Sequence, residues 1–427
     1  MIRWGTAEKL GIRRAAVLII LCVGARLIAL WLLSEDGAHY HESYYWLLAT
    51  RLLQGKGFGY GPYGQAAFEP LYPLTLVAAR ALFGNRPPMV LIPQLIISAI
   101  GCLYLYKLAW QLTRNSRVAW WSAVLYAFYP YLVRQSIMAN EIPLLSTLLI
   151  LSAYTYITAT HPRRVITCGI MFGLTLLTRT VVAPAWLGAL FTHGRRFGMR
   201  SALLLLVTIT SVVSPMLIRN FRVAGVLIPT RSGINLFEGN CVYADTIIPR
   251  YSQDLLNQYA WQVLQQQKPA TLPPGERGDD LFFTLKAWEF MREHPWRTLR
   301  LKLLNTIYLF HPRLMPFERM TSRTRVTFLP DGTLKIEGSV PHPFWQDAIH
   351  TISYTTIAFL AIWGCILRRR QLRDDAILGW IAFSFIVVHA LYFPHTRLRA
   401  PMDFILMFYA ACSIAWLLEL QQRPRVQ

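Results

Sequence analysis

Apolar runs of about 17–25 residues recur along this chain, each long enough to cross a ~30 Å hydrocarbon core. The 427 residues are 54% hydrophobic and 15% charged. A soluble domain carries about 25% charged residues, so this chain lacks the polar groups to cover a water-facing surface of its size. The sequence therefore reads as an all-α polytopic membrane protein.

The formal net charge is +21, which by itself would suit a nucleic-acid partner. Its placement argues otherwise. Basic residues gather in short segments between apolar runs: Arg13-Arg14, Arg114 with Arg117, Arg163-Arg164, Arg195-Arg196 with Arg200, and Arg368-Arg369-Arg370. Short Arg-rich loops mark the cytoplasmic side of a membrane and its anionic headgroups. Clusters on separate loops do not form the continuous basic face that nucleic acid needs, so no nucleic-acid partner is expected.

Five of the six cysteines (Cys22, Cys102, Cys168, Cys365, Cys412) fall inside apolar runs, and Cys241 lies in a long connecting region. No disulfide framework follows. The first apolar run, 15–33, lacks a small-residue cleavage pattern and reads as a retained span.

With Arg13-Arg14 inside, the first span exits near Leu33 and residues 35–86 are external. That region predicts an amphipathic helix near 41–54, a Gly-rich turn at 55–64 and a short apolar helix at 70–84. Further spans are expected near 88–112, 117–135, 141–159, 164–180, 181–194, 200–219, 347–367, 375–393 and 400–419. Ten full spans with one or two partial helices give a bundle of about 10–12, with both termini cytoplasmic. Residues 219–346 form the largest non-membrane region. It contains an amphipathic segment at 281–291, a run at 299–310 that touches the bilayer, and Pro330-Asp331-Gly332 between alternating flanks, a hairpin signal. The units expected are 1–219 (transmembrane module with external catalytic loops), 220–346 (external region with a partial membrane helix) and 347–427 (C-terminal spans).

Acidic residues are scarce, so those at external span ends stand out. Glu42 and Glu141 both fall at helix starts on the expected outer face, where a helix N-terminus favours negative charge. Capping or interface roles would explain them as well as a role in deprotonating and orienting an acceptor hydroxyl or amine. Arg219, Arg222, Arg231, Arg397 and Arg399 are external and suited to a lipid phosphate, or else to snorkelling toward headgroups. Arg179 ends an otherwise apolar span, which marks either function or a structural pair with Glu42 or Glu141. His39, His41 and Glu42 are too loosely spaced for a metal site, so no metal and no cofactor is expected.

The run Glu42, Tyr45, Ala49, Leu52, Gly55, Gly57, Phe58 and Pro70-Leu71-Tyr72-Pro73 resembles the first external loop of the bacterial dolichyl-phosphate-mannose-protein mannosyltransferase-like glycosyltransferases. These are GT-C class enzymes related to the aminoarabinose transferases acting on lipid A. Further resemblances follow in order: Tyr129-Pro130, Asn140-Glu141, Leu177-Thr178-Arg179, Pro215 with Arg219-Asn220, Gly225, Ser232-Gly233, Asn235-Leu236, Gly239-Asn240, Ala287 with His294-Pro295 and Lys302, and Arg397-Leu398-Arg399 with Pro401. In one departure, His41-Glu42 stands where relatives carry an acidic pair.

The resemblance implies a GT-C-like bundle in the bacterial inner membrane, with its active site on the outer face. It implies transfer of a sugar from a polyprenyl-phosphate donor to a lipid, glycan or protein acceptor, with inversion. Glu42, Glu141 and His41 would be the catalytic candidates. Arg219, Arg397, Arg399 and Arg179 would hold the donor phosphate, and Tyr45, Asn235 and Asn240 would contact substrate. The rival readings are a lipid or oligosaccharide transporter or flippase, and an oligosaccharide polymerase or ligase. A transporter is expected to show repeat symmetry and midplane polar groups, and neither is evident here.

Overall fold

The computed structural model describes residues 11–33, 43–59, 64–84, 91–321, 324–329 and 333–422. His39, His41 and Glu42 lie outside these residues, as does Pro330-Asp331-Gly332. In chain order the first helices are α1 (Ile12–Leu32), α2 (Tyr44–Leu53), α3 (Leu71–Phe83), α4 (Leu91–Thr113), α5 (Ser116–Phe128), α6 (Pro130–Ser136), α7 (Ile142–Thr158), α8 (Pro162–Leu176), α9 (Ala183–Phe197) and α10 (Met199–Ala224). A group of shorter helices follows: α11 (Arg231–Glu238), α12 (Ala244–Ile247), α13 (Asp254–Gln267), α14 (Glu276–Glu293) and α15 (Pro295–Leu309). Two short strand pairs come next, and α16 (Phe344–Leu367), α17 (Ala376–Leu391), α18 (Thr396–Arg399) and α19 (Phe404–Gln421) complete the chain.

The fold is helical, as the composition implies. Among the described residues α1, α4, α10, α16 and α19 are long and apolar enough to cross a membrane, and α3, α7 and α17 are shorter apolar helices. The expected span at 117–135 is divided into α5 and α6. Tyr129 is extended (φ −62°, ψ 112°) because it precedes Pro130, whose ring disfavours a helical conformation before it and supplies no N–H. The expected spans at 164–180 and 181–194 are α8 and α9, joined through a 3-10 turn at Thr180–Val182. At the α4–α5 turn, the Asn115 carboxamide oxygen accepts from the backbone N–H groups of Arg117 and Val118 and caps α5.

The largest core is apolar and runs through α1, α4, α5, α7–α10, α16, α17 and α19. A second core lies among α11–α15 and takes in Phe393 and Leu398 from the segment after α17. The hairpin signal at 330–332 is matched by its flanks, where Arg325–Phe328 pairs antiparallel with Leu334–Glu337 in the register Val326↔Ile336 and Phe328↔Leu334. Its apolar residues pack on the second core, with Phe328 edge-on to Tyr243 at 5.1 Å.

Charge is also buried in the first core, beginning with α1. Arg26 of α1 is completely buried. Its Nε donates to Ser136 Oγ (3.1 Å), and its Nη1 donates to Cys22 O (2.9 Å) and to Ala127 O (3.1 Å) in the last turn of α5. A cation at a helix C-terminus satisfies carbonyls that the helix cannot, so Arg26 secures the break that Pro130 imposes. Removing it leaves buried acceptors unpaired, which costs about 1–3 kcal/mol. Arg26→Leu is expected to lower the unfolding midpoint of the detergent-purified protein by several degrees, and an unchanged midpoint would remove this role.

Candidate active site

The polar cluster that fits the expected chemistry gathers where α2, α3, α7 and α8 begin or end. Glu141, the residue before α7, has a side chain 5% exposed. Arg179 sits just beyond α8, and its Nη1 lies 3.5 Å from Glu141 Oε1. The Tyr45 side chain of α2 lies beside both Glu141 and Arg179 and interacts electrostatically with each. Its ring is fixed edge-on by Tyr72 (4.9 Å) and Phe68 (6.3 Å).

Three connections stitch this cluster together. Ser43 Oγ donates to Ala139 O (2.9 Å), joining the start of α2 to the turn before α7. Leu71 N donates to Leu177 O (2.9 Å), joining α3 to the end of α8. Glu69 Oε1 accepts from both the backbone N–H and the hydroxyl of Thr180, each at 2.9 Å, and so fixes the residue next to Arg179.

The other sequence-derived residues divide by location. Arg397 of α18 is exposed and acts electrostatically on Glu141 and Tyr45. Arg399, two residues on, is completely buried away from the cluster. It pairs with Asp403 (3.1 Å), donates to Leu309 O (3.1 Å) and His311 O (3.3 Å), and stacks on Tyr354 at 3.7 Å. Its surroundings are those of a packing residue. Arg219 clasps the segment between α2 and α3, donating to Phe58 O (3.1 Å) and Gln65 O (2.7 Å) with its guanidinium over the Phe58 ring.

Asn235 is half-buried on α11. Asn240 is fully buried, and its amide donates to Leu236 O (2.6 Å) and Leu391 O (3.1 Å). Gly239 lies so close to the Tyr392 carbonyl that there is no room for a Cβ. Lys302 adds hydrogen bonds to Leu391 O (2.8 Å) and Gly239 O (3.3 Å). The Gly239-Asn240 motif thus docks α11 onto the end of α17. Among the described residues no group of three or more His, Cys, Asp or Glu side chains is placed to hold a metal.

Residues 67–218 match the model of a family described as dolichyl-phosphate-mannose-protein mannosyltransferase. This stretch is similar to those mannosyltransferases. It contains Glu69, Glu141 and Arg179, whereas Tyr45, Arg219, Asn235, Asn240, Arg397 and Arg399 fall outside it. Among solved structures, ArnT from Cupriavidus metallidurans bound to undecaprenyl phosphate aligns over 94% of this chain and 78% of its own, at 12% identity and a TM-score of 0.40. No curated protein matches the chain.

Sequence reasoning passed over several acidic residues within and beyond this mannosyltransferase-like segment. Glu69 is one. Glu276, at the start of α14, accepts from the backbone N–H groups of Gln65 and Ala66 and from Thr230 Oγ1, which ties the segment between α2 and α3 to helices α11–α15. The signal for Glu276 was its place at a helix start, but its partners are 46 to 211 residues away. Glu238 is the third, fully buried on α11 with Oε1 accepting from Asn257 Nδ2 at 2.9 Å.

Burial raises the Glu238 carboxyl to about 7 despite the pull of Arg231 and the Asn257 hydrogen bond. Burial likewise raises Asp280 to about 6, against the opposing Gly233 N–H at 2.7 Å. A carboxyl with a folded pKa above its unfolded one stabilises below the unfolded value and loses that contribution as pH rises through the folded value. The packing of α11–α15 is therefore expected to weaken between about pH 4.5 and pH 7 and to level off above. Thermal unfolding of Glu238→Gln should show a shallower decline over this window than the unsubstituted chain. Equal slopes would refute the assignment.

Proposed function

We propose that the protein is an integral-membrane glycosyltransferase that moves a sugar from a polyprenyl-phosphate donor to a lipid, glycan or protein acceptor. The observation that carries this reading is the Tyr45–Glu141–Arg179 cluster, whose two charged members lie within the mannosyltransferase-like segment and to which Arg397 adds an exposed cation. The placement proposed is the outer face of a bacterial plasma membrane, with both termini inside, in accord with the Arg-rich loops.

The chemistry asks little beyond what these side chains offer. The bond between the sugar's anomeric carbon and the phosphate oxygen breaks, and its electron pair leaves with the polyprenyl phosphate. The acceptor's O–H or N–H proton passes to a carboxylate as the new bond to the anomeric carbon forms in line, with inversion. A phosphate stabilised by arginine needs no strong general acid.

Glu141 is already paired with Arg179, which suits orienting the acceptor more than abstracting its proton. The base role is assigned to Glu42, with His41 beside it as the alternative. Arg397 is the exposed arginine beside the cluster and is assigned to the donor phosphate. Arg179 and Arg219 serve by holding Glu141 and the first external loop.

Proteoliposomes given a radiolabelled polyprenyl-phosphate sugar and envelope lipid or glycan acceptors are expected to yield labelled acceptor and free polyprenyl phosphate. Movement of the lipid without covalent product would establish the transporter reading instead. Glu42→Gln should lower turnover at least 100-fold with donor binding retained, and unchanged turnover would transfer the role of base elsewhere. Arg397→Glu should weaken donor binding at least tenfold, and undiminished affinity would remove it from the phosphate site.

A further inference from the structure

Helix α15 has two unlike faces. Leu301, Asn305 and Leu309 are buried, whereas Trp296, Leu299, Leu303 and Ile307 are 82%, 50%, 60% and 63% exposed. The two sets are offset by two residues, about 200° around a helix at ~100° per residue, so they face opposite ways. The helix carries Arg297, Arg300 and Lys302 and no acidic residue. Arg297 is paired with Asp245 (2.6 Å) and Lys302 is bonded to carbonyls, while Arg300 is exposed.

The inner face is anchored at span ends. Asn305 Nδ2 donates to Ala390 O (3.1 Å) and Tyr392 O (3.2 Å) at the end of α17. Just past α15, Arg313 Nε (2.8 Å) and Leu314 N (3.0 Å) both donate to Asp347 in the first turn of α16. The adjacent Phe344 and Trp345 are 87% and 49% exposed, in the manner of aromatic residues at a membrane–water boundary. One end of α15's surroundings is thus the start of a span-length helix, and the middle of α15 is held to the end of another apolar helix.

We propose that α15 lies along the bilayer surface, with the Trp296–Leu299–Leu303–Ile307 stripe among lipid chains and Arg300 reaching anionic headgroups. An amphipathic helix that is basic, tryptophan-containing and too polar to span has the composition for this placement. Its position at the mouths of α16 and α17 supplies the depth. The inference does not depend on the catalytic reading. A protein partner or a second copy of the chain would also cover an apolar stripe, but neither accounts for the anchoring of the opposite face to span ends.

The test uses the full chain in vesicles of phosphatidylethanolamine and phosphatidylglycerol. Cys365, the partly exposed cysteine, is replaced by serine, and an environment-sensitive fluorophore is attached at Leu303→Cys or, for reference, at Gln266→Cys on the exposed side of α13. The label at 303 should be quenched by nitroxide-bearing lipids and at least fivefold less by aqueous iodide than the label at 266. Equal iodide quenching at the two sites would overturn the proposal, and so would protection of 303 from both quenchers, which is the mark of a covering protein. Arg300→Glu should lower lipid quenching in phosphatidylglycerol vesicles and leave it unchanged in pure phosphatidylcholine. No change in the anionic vesicles would remove the headgroup contact.

Discussion

A carboxylate taken out of water between two helix ends has to be paired, and Arg179 does this for Glu141. The rest of the site follows from meeting that need. Arg179 stands where α8 stops, and Thr180, held by Glu69, fixes the backbone that presents it. Tyr45, its ring held by Tyr72, stands beside the pair and brings α2 to the same place. Without the pair, α2, α3, α7 and α8 would have no shared polar centre.

Much of the architecture was legible because lipid imposes a simple length rule. α4, α7, α10, α16, α17 and α19 begin and end close to the apolar runs that foretold them. The hairpin flanks were legible for a local reason, alternation around a turn. The division of 117–135 was missed although Tyr129-Pro130 was noticed, because a run's apolarity says nothing about continuity of its backbone. Arg26 was missed because its partners, Ala127 and Ser136, are about a hundred residues away.

The candidate site was partly legible for the same reason. Glu141 and Arg179 stood out as charges at the ends of apolar runs, and pairing between them was one of the two readings open. The difference between Arg397 and Arg399 was not legible, since both occupy the same short helix. The structure separates them by burial: one is exposed beside Glu141, and the other is enclosed against Asp403 and Tyr354. Contacts such as Glu276 with Gln65 and Ala66 join parts of the chain that no local pattern relates.

The junction of α11 with the end of α17 bears on how this protein can vary. Asn240, Lys302 and Asn305 all donate to the carbonyls of residues 390–392, and Gly239 meets the same strip of backbone with no space for a side chain. The partner surface there is main chain, which is the same whatever residues occupy 390–392. Ala390 and Leu391 can therefore change more readily than the four residues that read this strip, whereas Tyr392 also packs its ring on the second core, so variation across this contact should be largely one-sided.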